Sequence, residues 1–240
     1  MNNKIYLPNV TLLGIDCVDT ERLIKALDIS SEQIEFADVK LLTSLPTSDK
    51  RKVLIPHIGS TAEYSEFCIR KLADYVDTDF VLIVQYDGFV LNPSSWTNEF
   101  LNYDYIGAPW FVHDEFWFTK FLFPRDLLDK TVVGNGGFCL RSKKFLEVSS
   151  RLADEGVFDK YHPEDVALCV WNKDKMEKEG IRFAPNDIAE KFSIEGGDHI
   201  YRNQFGFHGF KWTDISLWIK ENPKWRITQT LENSLWKIKQ

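Results

Sequence analysis

The run Phe80-Val-Leu-Ile-Val84 holds five apolar residues without a polar interruption, three of them β-branched. Such a run suits a strand covered on both faces and suits poorly a sheet with one wet face, where polar residues alternate. It stops at Gln85-Tyr86-Asp87-Gly88. Asp-Gly is good turn chemistry, and that alone accounts for Asp87 as a turn residue. The same turn leaves a carboxylate beyond the C-terminal edge of a buried strand, where ligands bind in open α/β sheets. Mg²⁺ and Mn²⁺ in phosphate chemistry are held by one or two carboxylates plus phosphate oxygens, so Asp87 also reads as a metal–diphosphate ligand.

The flanking chain supports a parallel sheet. "VTLLGI" (10–15) reads as a strand, and "DTERLIKALDI" follows with Leu23, Ile24 and Leu27 at helical spacing. "IEFADVKLL" and "KVLIPHI" read as further strands. Ser60 with Glu63 forms a capping-box pattern that opens a helix over about 60–76. This β-α-β-β-α-β rhythm predicts an α/β fold with a mostly parallel, centrally buried sheet. In the second half, "YDYIGAPW" (103–110) reads as a strand entering a turn, and "KTVVGNGGFCLRS" (130–142) as two strand pieces around a Gly-rich turn. A helix is expected from about Lys143 to Ala153, and another opening at "HPEDVALCVW" with Pro163 in its first turn.

Composition narrows the function classes. The 240 residues carry a net charge of −7, which disfavours a nucleic-acid binder, since that needs a basic face. No apolar run approaches the roughly 20 residues that span a bilayer, and the N-terminus has no apolar leader pattern. The expectation is a cytoplasmic protein. Its four cysteines (Cys17, Cys68, Cys139, Cys169) are widely spaced and read as reduced, mostly buried thiols.

Four more constellations carry chemistry. Glu164 and Asp165 in a first helical turn complement the helix dipole; alternatively, one of them faces a cleft as a general base. In "FGFHGFKW" (205–212), His208 between glycines is a candidate metal ligand or a structural histidine, and Lys211 is placed to reach a diphosphate. Gly134-Asn135-Gly136-Gly137 fits neither the dinucleotide nor the P-loop pattern. Its glycines permit positive φ or a close approach to a ligand, and a plain hairpin is the other reading. Residues 110–123 hold seven aromatics, most of them expected in the core, with Trp110 the best candidate for a substrate contact.

In order, a strand-end Asp87, a Gly-Gly loop, Glu164-Asp165 opening a helix and a late His-Gly turn resemble nucleotide-sugar glycosyltransferases of the GT-A fold. In detail, "VLIVQYDGFVLNP", "YDYIGAPW", "VGNGGFCLRS", "HPEDVALC", "RFAPNDIAEKFSIE" and "FGFHGF" closely resemble a bacterial family of uncharacterised, glycosyltransferase-like domains. The resemblance implies a GT-A-like single domain over 1–212, with a central, mostly parallel sheet flanked by helices. A helical tail over 213–240 would be docked or lie on a membrane surface.

The resemblance also assigns roles. Gln85, Tyr86 and Asp87 stand where the family has Asp-x-Asp, with Gln85 replacing the first acid. Asp87 and His208 would bind Mn²⁺ or Mg²⁺. Gln85, Tyr86, Asp87, Gly136, Gly137 and Lys211 would contact the donor, a UDP-sugar by family analogy. Trp110, Asn135 and Glu164 would contact a glycan or lipid-linked acceptor in surface polysaccharide synthesis. Asp165 would be the base of an inverting transfer. The Trp/Lys-rich tail would allow peripheral contact with the inner membrane face. "HGFKW" also resembles the His-Gly…Lys-Pro-Trp signature of retaining transferases, which keeps a retaining enzyme as a rival. A glycan-binding module would use the aromatics but would need no metal ligand and base together. A nucleotidyltransferase would want a Gly-rich basic N-terminal loop, which "VTLLGIDCVD" does not offer.

Overall fold

The computed structural model describes residues 4–113, 119–196 and 200–229. The first half runs β1 (Ile5–Ile15), α1 (Thr20–Ser31), β2 (Ile34–Thr43), β3 (Lys52–Leu54), α2 (Thr61–Arg70), a 3-10 turn at Leu72–Tyr75 and β4 (Phe80–Val84). Next come β5 (Tyr105–Ile106), β6 (Pro109–Phe111), α3 (Thr119–Leu122), β7 (Thr131–Val133), β8 (Phe138–Ser142) and α4 (Lys143–Asp154). α5 (Glu164–Val166) passes into a π turn (Ala167–Trp171), then α6 (Lys173–Lys178), α7 (Asn186–Phe192), β9 (Ser193–Glu195), β10 (Gly206–His208) and α8 (Ser216–Glu221).

The main sheet has the order β3-β2-β1-β4-β8-β5. The first four strands are parallel, while β8 runs antiparallel to both β4 and β5. The chain is thus a mixed α/β domain with a central, mostly parallel sheet flanked by helices. β4 lies between two apolar layers, and Val81 to Val84 are wholly buried. Leu82 and Val84 belong to the layer holding Leu23 and Leu27 of α1 with Phe138, Phe192 and Phe205. Val81 and Ile83 belong to the layer holding Phe67 and Ile69 of α2 with Phe145 and Leu146 of α4. Coverage on both faces is why the strand carries no polar alternation.

Local chemistry sets the helix starts. Asp19 Oδ1 accepts from Glu21 N at 3.0 Å at the head of α1. Ser60 Oγ accepts from Glu63 N at 3.1 Å, and Glu63 Oε2 accepts from Gly59 N at 2.8 Å. The capping-box pattern therefore marks a real helix start.

Several expectations need correction. β1 starts at Ile5 rather than Val10, because a register shift between Leu7 and Thr11 lets the strand carry Pro8 without a ladder hydrogen bond. The helix expected to reach Val76 is α-helical only to Arg70 and tightens into the 3-10 turn before β4. "KTVVGNGGFCLRS" is not a hairpin. β7 pairs with β6, whereas β8 pairs with β4 and β5. The Gly-rich loop therefore carries the chain from an edge ribbon into the main sheet. Pro163 precedes α5 as its cap, joined to His162 by a cis peptide, instead of lying in the first turn. All four cysteines are buried thiols. Part of the aromatic stretch, residues 114–118, lies outside the described residues.

The C-terminal segment packs on the domain as far as it is described. Trp218 is buried, sits in the same layer as Leu82 and Val84, and donates its indole N–H to Leu91 O at 2.8 Å. Trp225 packs against that layer. Trp236 and the rest of 230–240 lie outside the described residues. Among those described, no helix is long and apolar enough to cross a membrane. If α8 is part of the core, Trp218→Ala should cost about 3–5 kcal/mol, the range for large aromatic truncations, measured by urea denaturation. A loss within the roughly 0.5 kcal/mol typical of surface sites would refute that.

Candidate functional site

The site is built where β4 leaves the sheet and β8 enters it. Their antiparallel register sets Val84 opposite Phe138. The turn after β4 therefore meets the Gly-rich loop before β8. That turn is closed by two hydrogen bonds between Gln85 and Gly88, each 3.0 Å, with Tyr86 and Asp87 at its tip. Gly209 N donates to Asp87 O at 2.8 Å, which ties in the loop after β10. Asp87 is thus both a turn residue and a presented carboxylate. Its Oδ1 is buried without a hydrogen-bond partner and lies 3.7 Å from His208 Nε2.

His208 is held from both sides. Its Nδ1 lies 2.6 Å from Glu195 Oε1, and its Nε2 lies 3.2 Å from Gln85 Oε1. Gln85 in turn donates from Nε2 to Tyr64 Oη at 3.0 Å. Burial pushes the imidazole pKa down, but the charge and hydrogen bond of Glu195, with Asp87 and Asp165 nearby, outweigh it and carry it to about 9. An oxygen facing each ring nitrogen favours a protonated ring in the metal-free protein, and a cation bound at Nε2 would displace the proton there.

Glu195 was not singled out from the sequence. Burial pushes its pKa up, yet His208 and a hydrogen bond from the Trp110 indole N–H hold it below the usual carboxylate range. The signal was faint: Glu195 closes the segment "RFAPNDIAEKFSIE", which carries the family resemblance but marks no role for its last acid.

Each glycine of the Gly-rich loop has a steric reason. A Cβ on Gly134 would lie 2.2 Å from the Trp110 ring, one on Gly136 would lie 1.9 Å from Glu164 Oε1, and one on Gly137 would lie 2.0 Å from His208 Nε2. These glycines admit the protein's own side chains. The positive φ in the loop belongs to Asn135, at 81°. Asn135 Oδ1 accepts from Gly137 N at 2.7 Å and Phe138 N at 2.9 Å, an Asx-type turn that fixes the loop. Tyr105 Oη donates to Asn135 O at 2.5 Å. Asn135 Nδ2 lies close enough to Glu195 to help hold its charge but makes no full hydrogen bond.

The two acids of α5 part company. Glu164 is turned inward, 6% exposed, and accepts from Arg141 Nη2 at 3.3 Å. Arg141 is wholly buried, with its guanidinium over the Tyr105 and Phe145 rings. Asp165 is half-buried, and its Oδ2 accepts from Gly136 N at 3.1 Å. Burial, then the charges of Glu164 and Glu195, raise the Asp165 pKa to about 7. The π turn that follows closes with Asn172 N donating to Ala167 O at 3.0 Å, a local feature frequent at functional sites.

Gln85, Asp87, Asn135, Gly136, Gly137, Glu164, Asp165 and His208 thus come together, joined by Glu195. Trp110 borders the group, its polar edge committed to Glu195. Tyr86 is exposed, with the Arg22 guanidinium 4.1 Å from its ring centre. Arg22 is itself anchored to Asp16 through Nε at 2.6 Å. Lys211 is exposed and close enough for its charge to act on the Tyr86 hydroxyl.

The donor set suits a divalent cation. A buried carboxylate oxygen lacks a partner, and an imidazole nitrogen and an amide oxygen converge beside it. Among the described residues no three His, Cys, Asp or Glu side chains group into a metal site by themselves. A cation here would take its remaining ligands from water or a substrate phosphate, as Mg²⁺ commonly does.

Comparison with solved structures gives distant likenesses. A galactosyltransferase, LgtC, solved with donor and acceptor sugar analogs, is 14% identical with a TM-score of 0.48, covering 95% of this chain and 99% of that one. The apo-form glycosyltransferase GlyE of Streptococcus pneumoniae TIGR4 is 13% identical with a TM-score of 0.41, covering 97% and 66%. The bifunctional IspDF from Campylobacter jejuni is 12% identical with a TM-score of 0.46, covering 73% of this chain and 48% of that one, so the match spans about half of IspDF. The chemistry of the site rests on the chain's own residues. Comparison with curated proteins gives no match. A family model described as "Protein of unknown function (DUF5672)" matches residues 51–208. That span takes in most of the chain and every residue gathered in the site, and the chain belongs to this family.

Proposed function

We propose that the protein is a metal-dependent glycosyltransferase that moves a sugar from a nucleotide-sugar, with UDP as the nucleotide, to a hydroxyl of a glycan or lipid-linked acceptor. The observation that carries the reading is the pairing of two carboxylates around one glycine loop. Asp87 offers an unpartnered oxygen beside His208, while the half-buried Asp165 is seated on Gly136 N. One group suits a cation on a leaving diphosphate, and the other suits a base for an incoming hydroxyl. A glycan-binding module would need neither.

Asp87 and His208 would hold the cation, with Gln85 beside them. When bound, Mn²⁺ or Mg²⁺ supplies charge neutralisation for the departing diphosphate. Lys211 and Arg22, at the rim near Tyr86, add positive charge for the phosphates. Asp165 takes the proton of the acceptor hydroxyl as its oxygen bonds to the anomeric carbon. The bond from that carbon to the diphosphate oxygen breaks, and its electron pair leaves with the nucleoside diphosphate. Attack opposite the leaving group inverts the anomeric centre. Glu164, paired with Arg141, packs against the loop at Gly136. A role in surface polysaccharide synthesis at the inner membrane face fits this chemistry.

UDP-sugar hydrolysis should appear with Mn²⁺ and vanish with EDTA. Asp87→Asn should weaken UDP binding in Mn²⁺ by more than the about 10–100-fold typical of an outer-sphere partner. Unchanged affinity by calorimetry would return Asp87 to a turn role alone.

Asp165→Asn should cut turnover by about 10²–10⁴-fold, the usual contribution of a general base, with donor affinity nearly unchanged. Normal turnover, or a product of retained configuration, would overturn the assignment. Asp165 should also be visible in stability. Between 3.8 and about 7 the folded protein keeps a proton on this carboxyl that the unfolded chain releases. Stability should therefore fall as pH rises through that window. Asp165→Asn should flatten the fall, measured by denaturation at a series of pH values. An unchanged slope would show that the group does not titrate there.

A further inference from the structure

We propose that Glu195 is the positioning residue of this site: gripped by Trp110, it turns His208 so that Nε2 faces Asp87, pre-forming half of a divalent-cation site. The proposal rests on the metal reading above. β9 and β10 are parallel neighbours, and their register sets Glu195 directly beside His208. Both side chains therefore rise from the same face of the ribbon. Each carboxylate oxygen has one committed partner. Oε1 faces His208 Nδ1 at 2.6 Å, and Oε2 accepts from the Trp110 indole N–H. A carboxylate fixed at both oxygens has little freedom, and the imidazole bonded to it inherits that restriction. Turning the ring over would remove Nδ1 from Glu195 and Nε2 from Gln85 together.

The far edge of the ring is set just as closely. Gly137 leaves no side chain against Nε2, and a Cβ there would sit 2.0 Å from it. Beyond Nε2 lies Asp87 Oδ1, buried and without a partner. The network from Trp110 through Glu195 to His208 thus ends one charged group short, at the carboxylate. A carboxylate behind a histidine that presents its other nitrogen is the usual outer-shell arrangement of a metal site. Trp110 consequently serves the site through its N–H, and only its ring face remains for a substrate.

The test uses Mn²⁺ alone, titrated by calorimetry into the full-length protein, with ¹⁵N-histidine NMR of the metal-free protein beside it. Glu195→Ala should weaken Mn²⁺ binding by about 10–100-fold. Glu195→Gln, which keeps the shape of the side chain, should also weaken it, because its NH₂ replaces one acceptor oxygen and meets an N–H donor, His208 Nδ1 or the Trp110 indole. Adding Glu195→Ala to His208→Ala should cause no further loss, since the two act as one unit. The Nδ1-bound proton of His208 should be slow to exchange in the wild type and lost in Glu195→Ala. It should persist in Trp110→Phe, which leaves Oε1 in place. Wild-type Mn²⁺ affinity in both Glu195 variants, additive losses in the double variant, or survival of the proton in Glu195→Ala would overturn the proposal. A wild-type protein that binds no Mn²⁺ overturns the metal reading; the proton then decides the orienting role alone, its loss in Glu195→Ala supporting that role and its survival ending it.

Discussion

The antiparallel pairing of β8 with β4 is the constraint on which the site depends. Four parallel strands deliver their carboxyl ends to one edge of the sheet. A fifth parallel strand would enter from the opposite edge and leave Asp87 facing a gap. Because β8 runs the other way, its entry loop arrives at the edge where β4 departs. Phe138 opposite Val84 fixes the register, and a one-residue slip would send each side chain of β8 into the opposite apolar layer. The Asx turn of Asn135 then holds the loop at that edge, its side-chain oxygen serving the backbone of Gly137 and Phe138.

Close approach follows from that register. A Cβ on Gly88 would lie 2.9 Å from His208 Cδ2 and 3.0 Å from Gly137 O, so only a glycine lets the two loops meet this closely. Side chains from more distant elements fill what the glycines leave open: Trp110 over Gly134, Glu164 against Gly136, His208 against Gly137. The loop is therefore a template on which three elements are indexed. Beneath it lies Arg141, wholly buried and paired with Glu164. Breaking one partner of a buried ion pair is typically far more costly than the pair's net contribution. Arg141 thus ties the floor of the site to the stability of the sheet.

What the sequence made legible was local. The apolar run and its Asp-Gly end, the Ser60–Glu63 cap and the acids at the head of α5 all write their structure within a few residues. The glycine loop was legible as unusual but not as to cause. Of the two uses the glycines permit, close approach is the one realised, to side chains 24 to 71 positions away in the chain, while the positive φ falls on Asn135. Glu195 was illegible for the same reason. Its partners, Trp110 and His208, come from separate elements, and a three-residue strand has too little periodicity to mark one face. Pro8 hid the first half of β1, because the bulge that accommodates it is a property of strand pairing rather than of the residues alone.

The charges in the site argue for the company a substrate must keep. Among the described residues, Asp87, Glu164, Asp165 and Glu195 gather around Arg141 and His208, four carboxyl groups against two basic side chains. The surplus is negative, and Asp165 relieves part of it by holding its proton to about pH 7. A diphosphate approaching such a site alone would meet repulsion at short range, where partial burial leaves little solvent to screen it. Arg22 and Lys211 lie at the rim beside Tyr86, with Arg22 paired to Asp16, outside the group of acids below. Under the proposed function, a divalent cation entering with the diphosphate reverses the sign at Asp87. The carboxylate whose oxygen is now without a partner then becomes the one that anchors the donor.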